Sequence, residues 1–111
     1  MAALDTYRAI IANVLNGYTQ IPYAYGDLQC KAVFDRENDH YLLVTLGWDN
    51  GLRVYSVLVH IDLINGKVWI QQDNTEDGVA TELAQAGIPN DHIVLGFQAP
   101  ELRKYTAFAA A

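Results

Sequence analysis

Cysteine is almost absent from this chain. Cys30 is the only one among 111 residues, so no internal disulfide can form, and the composition suits a reducing cytosol. Positive charge is also scarce. Seven Lys and Arg stand against 13 Asp and Glu, a formal net charge of −6, and that balance repels a phosphate backbone unless the few cations cluster. Direct DNA binding is therefore not expected. Long apolar runs are missing too, since none approaches the ~18 residues of a membrane span. The N-terminus MAALDTYRAI has an early acid and no signal-peptide layout. A cytoplasmic, membrane-free protein is expected. The chain also has no P-loop, no dinucleotide glycine fingerprint and no G-x-S-x-G, which removes the motif-bearing nucleotide and hydrolase classes.

What is present is a core. Hydrophobic residues make up 51% and charged residues 18% of the chain, enough apolar material for one domain over residues 1–111 and too much for disorder. The organising stretch is His40 to Asp73, where Asn50-Gly51 and Asn65-Gly66 each sit between alternating apolar runs. Asn-Gly supplies the positive φ angles of a two-residue type I′ hairpin turn. The first turn sets Trp48 opposite Arg53, Leu46 opposite Tyr55, Val44 opposite Val57 and Leu42 opposite Val59. The second sets Leu63 opposite Val68, Ile61 opposite Ile70 and His60 opposite Gln71. One apolar face is then expected from Leu42, Val44, Leu46, Trp48, Tyr55, Val57, Val59, Ile61, Leu63, Val68 and Ile70, because side chains alternate along each strand.

Around this meander, Leu4, Tyr7, Ile10, Ile11, Val14, Leu15 and Tyr18 recur at helical spacing. They predict a first helix near Leu4 to Asn16, with Gly17 as its stop. Thr19 to Asp27 reads as a loop, with Pro22, a Gly26-Asp27 turn, and Tyr18, Tyr23 and Tyr25 around it. Leu28 to Asp35 alternates as a first strand, placing Leu28, Cys30, Ala32 and Phe34 on one side. A second helix is expected from a cap at Asp73 or Asn74 to about Ala86, with Glu76 and Asp77 in its first turn. Gly87-Ile88-Pro89 should end it, with Ile88 touching Leu83 as in a Schellman motif. One helical turn at Pro89 to His92 and an extended run at Ile93 to Phe97 precede the tail. The expected fold class is α+β: N-terminal helix, four-stranded antiparallel β-meander, second helix and a short C-terminal extended segment.

The same register defines a second sheet face. It carries Tyr41, Leu43, Thr45, Gly47, Val54, Ser56, Leu58, His60, Asp62, Trp69 and Gln71. This face is too apolar for a clean solvent side, so Tyr41, Leu43, Leu58, His60, Trp69 and Gln71 are candidate oligomer contacts, together with the apolar C-terminal tail. His60, Asp62 and Gln71 form a small polar constellation. Residues two apart on a strand are about 7 Å apart between α-carbons, and no nucleophile is implied, so a hydrogen-bonded interface histidine is the simpler reading than a general base. Asp73, Asn74, Glu76 and Asp77 have the chemistry to hold a hard cation, but helix capping accounts for most of them. His40 and His92 occupy separate turn regions without a partner at ligand spacing, so no zinc site is expected. No catalytic residue, cofactor or metal emerges. The competing reading is a small-ligand- or metal-binding enzyme using the polar groups near His60 or Asp73 to Asp77.

Taken together, YGDLQC, FDRENDHYLLVTLGWDN, RVYSVLVHIDLINGKVWIQQDNTEDGVATELAQAGIP and HIVLGFQAPELRKYTAF closely resemble the XisI family. The resemblance runs from about Tyr7 to Phe108, densest at Val68 to Gly78, Leu95 to Pro100 and Arg103 to Thr106. That family is named for an excision controlling factor of the fdxN DNA element in filamentous cyanobacteria. The resemblance implies a single XisI-like domain and an accessory role in programmed DNA rearrangement, beside a recombinase and a companion called XisH. It carries no catalytic residues over to this chain. It therefore implies a non-catalytic protein with a XisH-like partner. The candidate contact is the polar edge Asp73, Asn74, Glu76 and Asp77, with Arg103 and Lys104 as an outlying basic element; homo-oligomerisation is expected as well.

Overall fold

The computed structural model describes residues 2–21 and 27–111. Pro22 to Gly26, which include Tyr23 and Tyr25 of the expected loop, lie outside them. The order is α1 (Ala2–Thr19), β1 (Asp27–Asp35), β2 (His40–Asp49), β3 (Leu52–Ile64), β4 (Lys67–Asp73), α2 (Val79–Gln85), a 3-10 turn (Asn90–His92), β5 (Ile93–Leu95) and α3 (Pro100–Arg103). The fold is α+β. The strands form one sheet in sequence order, with β1 to β4 antiparallel and β5 parallel to β4 at the edge. The expected four-stranded meander is there, and the extended C-terminal segment joins it as a fifth strand. A parallel neighbour needs a crossover rather than a hairpin, and the chain from α2 through the 3-10 turn supplies one.

Both Asn-Gly turns form as expected. Asn50 and Gly51 have φ of 53° and 76°, Asn65 and Gly66 of 51° and 79°, the two successive positive angles of type I′. Near the turns the register is the expected one: Trp48 faces Arg53, Leu46 Tyr55 and Val44 Val57, while Leu63 faces Val68 and Ile61 Ile70. Away from the turns it shifts twice. Val44 pairs with Val57 but Leu43 pairs with Val59, so Leu58 is an extra residue on β3. Ile61 pairs with Ile70 but His60 pairs with Gln72, so Gln71 is an extra residue on β4. The expected pairs Leu42–Val59 and His60–Gln71 are therefore replaced by Leu42–His60 and His60–Gln72.

A β-bulge sets two residues of one strand against one of the other and reverses the side to which later residues point. As a result the expected apolar face is split. Val59, Ile61, Leu63, Val68 and Ile70 do form the core side, but their β2 partners are Tyr41 and Leu43. Leu42, Val44, Leu46 and Trp48, with Tyr55 and Val57, face the opposite way. The β1 assignment stands: Cys30, Ala32 and Phe34 pair with Thr45, Leu43 and Tyr41 and pack against the core.

Both α1 and α2 cover that core side. Ile11 and Leu15 of α1, Val79, Ala80 and Leu83 of α2, and Ile88 after it are buried in one cluster with the sheet residues. Gly17 does not stop α1. It is absent from the positive-φ glycines, and the helix runs on to Thr19, where the Tyr18 hydroxyl donates to Glu82 Oε2 of α2 at 2.7 Å. The second helix begins later than expected. Asp73 accepts the Val79 amide on Oδ2 at 2.7 Å and the Thr75 amide on Oδ1 at 2.9 Å. Its carboxylate thus organises a loop and caps the helix from six residues back, leaving Glu76 and Asp77 outside the first turn. The ending is a Schellman motif: Ile88 N–H donates to Leu83 O and Gly87 N–H to Ala84 O, each at 3.1 Å, with Gly87 at φ 124°.

Asp39, at φ 59°, ties α1 to the sheet. Arg8 donates to both its oxygens, Nε at 2.8 Å and an Nη at 3.0 Å, and the buried Tyr41 donates its hydroxyl at 2.9 Å. The Arg8 guanidinium beside Asp39 holds its carboxyl below the usual carboxylate range against the opposing effect of burial.

Two outcomes are expected. Deleting Leu58 removes the bulge and turns Val59, Ile61 and Leu63 away from the helices relative to the first half of β3. The variant should lose cooperative thermal unfolding, whereas Leu58→Ala should keep it. Burial pushes the Cys30 thiol up from its ordinary value, so less thiolate is present at any given pH. Its alkylation rate in the native protein should rise to half-maximum above the ~8.5 of a free cysteine, and return to that value in denaturant.

Candidate functional site

The sheet side opposite the helices holds the groups with chemistry left to explain. Partners in an antiparallel pair point to the same side, so the register lists its rows. Asp35, His40, Asp62 and Trp69 lie across β1 to β4, followed by Val33, Leu42, His60 and Gln72. Beyond them come Lys31, Val44 and Val57, then Gln29, Leu46 and Tyr55, then Asp27, Trp48 and Arg53. This open face gathers histidines and acids near the β2 start, and toward the Asn50-Gly51 turn it carries Leu46, Trp48 and Tyr55 flanked by Gln29, Asp27 and Arg53. Val33, Trp48 and Tyr55 are more than half exposed there, and the Arg53 guanidinium stacks 5.4 Å from the Trp48 ring centroid.

At the polar end two histidines meet one carboxylate. His40 Nδ1 lies 2.7 Å and His60 Nε2 2.9 Å from the same oxygen of Asp62, Oδ1. Gln71 Nε2 donates to the other oxygen at 3.3 Å. The two imidazole rings stand edge to face, centroids 6.4 Å apart. The Asp62 side chain is only 13% exposed, against 51% for His40 and 34% for His60. Hydrogen bonding to Asp62 raises the His40 pKa. Burial acts to raise that of Asp62, but the hydrogen bonds and charges of the two histidines outweigh it and the net shift is downward.

Sequence spacing placed His60, Asp62 and Gln71 together, and they are together. Although about 7 Å separates their α-carbons, an imidazole and a carboxylate leaning along the strand close that gap, and His60 is hydrogen-bonded as expected. His40 is not isolated in a turn either. Unbroken pairing from the Asn50-Gly51 turn would put it opposite Ile61, and the Leu58 bulge instead puts it opposite Asp62. His92 is separate, its Nδ1 bonded to the Tyr7 hydroxyl.

The other expected site residues scatter. Tyr41 and Leu43 are fully buried beneath the helices and cannot be surface contacts, because the bulge pairs them with the core side of β3. Leu58 is itself the bulge and leans on the core. Trp69 is on the open face but carries Arg103, whose guanidinium lies 5.2 Å from its ring. Arg103 also donates to the backbone carbonyls of Leu95, Gly96 and Gln98 at 3.1–3.3 Å, so it clamps the segment after β5 rather than standing free beside Lys104. Lys104 is exposed and near Tyr105. Asp73 is occupied by its loop, and Asn74 Nδ2 donates to Val57 O at 3.3 Å. Glu76 and Asp77 alone of that acidic group are exposed without a side-chain bond to the fold. The apolar tail is used internally: Ala109 bridges to Val94 and donates its amide to Ile93 O at 2.8 Å.

Arg103→Ala should cost about 2 kcal/mol, the scale of charge-assisted bonds to backbone, and shift Trp69 emission to longer wavelength. Arg103→Lys should recover little of it, since one ammonium cannot span three carbonyls. Chemical denaturation with both tryptophan emission and circular dichroism checks this.

Comparison with known proteins agrees with the resemblance in the sequence. The family model for XisI protein matches residues 1–110. No curated protein matches this chain. Among solved structures, a XisI-like protein from Anabaena variabilis is 31% identical, with TM-score 0.84 over 98% of this chain and 99% of its own. The fdxN element excision controlling factor XisI from Anabaena variabilis is 34% identical, with TM-score 0.79 over 98% and 99%. Their fold, this order of elements and the matched length all agree, and the chain belongs to the XisI family.

Proposed function

We propose that this chain is a non-catalytic accessory protein of programmed DNA excision, acting in the cyanobacterial cytoplasm through a XisH-like protein partner rather than by binding DNA. The observation that carries the reading is the open sheet face. Both long-packed helices lie on the other side, leaving Val33, Leu42, Leu46, Trp48 and Tyr55 beside a polar group at His60 and Asp62. An aromatic and aliphatic centre bordered by polar groups is the composition of a protein–protein contact. Large Trp and Tyr side chains are the usual anchors in such contacts.

The charges support a protein partner. With a net charge of −6 a phosphate backbone is repelled, and several basic groups are already engaged: Arg8 with Asp5 and Asp39, Arg53 with Trp48, Arg103 with three carbonyls. Glu76 and Asp77 are exposed in the loop between β4 and α2 and would steer a basic partner patch. Without that partner, the same face supports self-association of the chain.

Co-expression with a XisH-like protein and a pull-down test the proposal. Trp48→Asp with Tyr55→Asp should abolish capture while circular dichroism stays near wild type, and Glu76→Lys with Asp77→Lys should weaken it. Light scattering of the chain alone should report a mass above 12.3 kDa that falls to the monomer in the Trp48/Tyr55 variant. Capture that is unchanged in the sheet-face variant would move the contact elsewhere. Nuclease activity of the purified chain, lost on His60→Ala, would overturn the non-catalytic reading.

A further inference from the structure

We propose that His40 Nδ1, His60 Nε2 and a carboxylate oxygen of Asp62 bind a divalent transition-metal ion of the zinc class. Two imidazole nitrogens from neighbouring strands, with one carboxylate between them, are aimed at a single point. The three donor atoms lie within 4.8 Å of one another. Around a tetrahedral zinc ion with bonds of about 2.0–2.2 Å, neighbouring donors stand roughly 3.4 Å apart. The present separations of 2.7 and 2.9 Å from the histidines to Asp62 Oδ1 therefore need to open by about 0.5–0.7 Å, a change within reach of side-chain rotation.

The donor set decides the class of ion. Calcium and magnesium take oxygen ligands in larger number, whereas two imidazoles with a carboxylate suit zinc, cobalt, nickel or iron(II). Nothing in the cluster is a thiolate; the only cysteine, Cys30, lies on the other side of the sheet, paired with Thr45. Gln71 holds the second carboxylate oxygen at 3.3 Å, an outer partner of the kind that orients metal-binding carboxylates. Asp35, paired with His40 across β1 and β2, adds negative charge on the same face.

The bulges are what assemble the site. The Leu58 bulge puts His40 opposite Asp62, and the Gln71 bulge keeps Gln71 beside Asp62 while Gln72 takes the place opposite His60. An ordinary hydrogen-bonded surface cluster has no need for both histidines to present an N–H to the same oxygen of a largely buried carboxylate. A dication at that point takes the place of both N–H groups, each neutral imidazole then carrying its proton on its other ring nitrogen, and neutralises the carboxylate. With three protein ligands on a sheet face, and His40 half exposed, the remaining coordination position opens toward solvent. There it is available to water or to a donor from a protein seated on the face. The assignment does not depend on the identity of any partner.

The test uses the full chain with zinc chloride, and cobalt chloride as a coloured probe. Isothermal titration calorimetry should give one zinc ion per chain. Cobalt should develop the visible absorption of a low-symmetry site and quench Trp69, which pairs with Asp62. The double variant His40→Ala with His60→Ala should lose this binding, and Gln71→Ala should weaken it roughly ten- to a hundredfold, the usual cost of an outer-shell loss. His92→Ala should bind as wild type. Nitrogen-15 NMR of the wild-type imidazoles reads the ligands without any substitution: zinc should shift the His40 Nδ1 and His60 Nε2 resonances and leave His92 in place. Absence of uptake at micromolar zinc, unchanged affinity in the double variant, or zinc-induced shifts at His92 alone would overturn the proposal.

Discussion

One extra residue on β3 governs the arrangement of this protein. At Leu58 the pairing of β2 with β3 slips by one position, and because strand side chains alternate with a period of two, the slip exchanges the two sides of the sheet for half of the hairpin. It brings Tyr41 and Leu43 under the helices with Val59 and Ile61, and sends Leu42, Val44 and Leu46 to the far side. The helices then have a continuous apolar surface to cover: Ile11 and Leu15 from α1, and Val79 and Leu83 from α2. An unbroken register would have placed Tyr41 opposite the polar His60 and Leu43 opposite Leu58, away from Val59 and Ile61.

The edges of the fold are held mainly by charge-assisted bonds to fixed groups. Asp39 receives Arg8 and Tyr41, Asp73 receives the amides that start α2, and Arg103 gathers three carbonyls while stacking on Trp69. In each case the charged side chain satisfies backbone or buried polar groups that would otherwise be costly to remove from water. An acidic protein with few cations has committed several of them to its own architecture.

The side of the sheet away from the helices exposes Val33, Trp48 and Tyr55 and is polar where His40, His60, Asp62 and Gln71 converge. The two regions are contiguous because both lie on the far side of the same bulged hairpin. The exposed apolar side chains and the polar cluster beside them thus have a common structural origin. Among the described residues, no helix is long and apolar enough to cross a membrane, so the exposed aromatics of this face are not accounted for by a helical span.

Local chemistry was legible in the sequence wherever a few adjacent residues decide the outcome. Asn50-Gly51 and Asn65-Gly66 determine their turns because only certain residues tolerate the positive φ angles of type I′. Gly87-Ile88 determines the end of α2 because glycine tolerates the left-handed step and Ile88 supplies the apolar contact. The helical stripe of α1, the antiparallel meander and the grouping of His60 with Asp62 and Gln71 followed from the same short-range periodicities. The tertiary structure alone decided where the bulges fall, since valines and leucines on both sides of β2 make either register locally acceptable. Packing against Ile11, Leu15 and Leu83 selects the one that buries Tyr41 and Leu43. Gly17 continues a helix for a similar reason, as Tyr18 reaches Glu82 on α2. His40 joins Asp62 only through that selection, because a contact between residues 22 positions apart is set by register across the sheet and leaves no trace in the spacing of either strand.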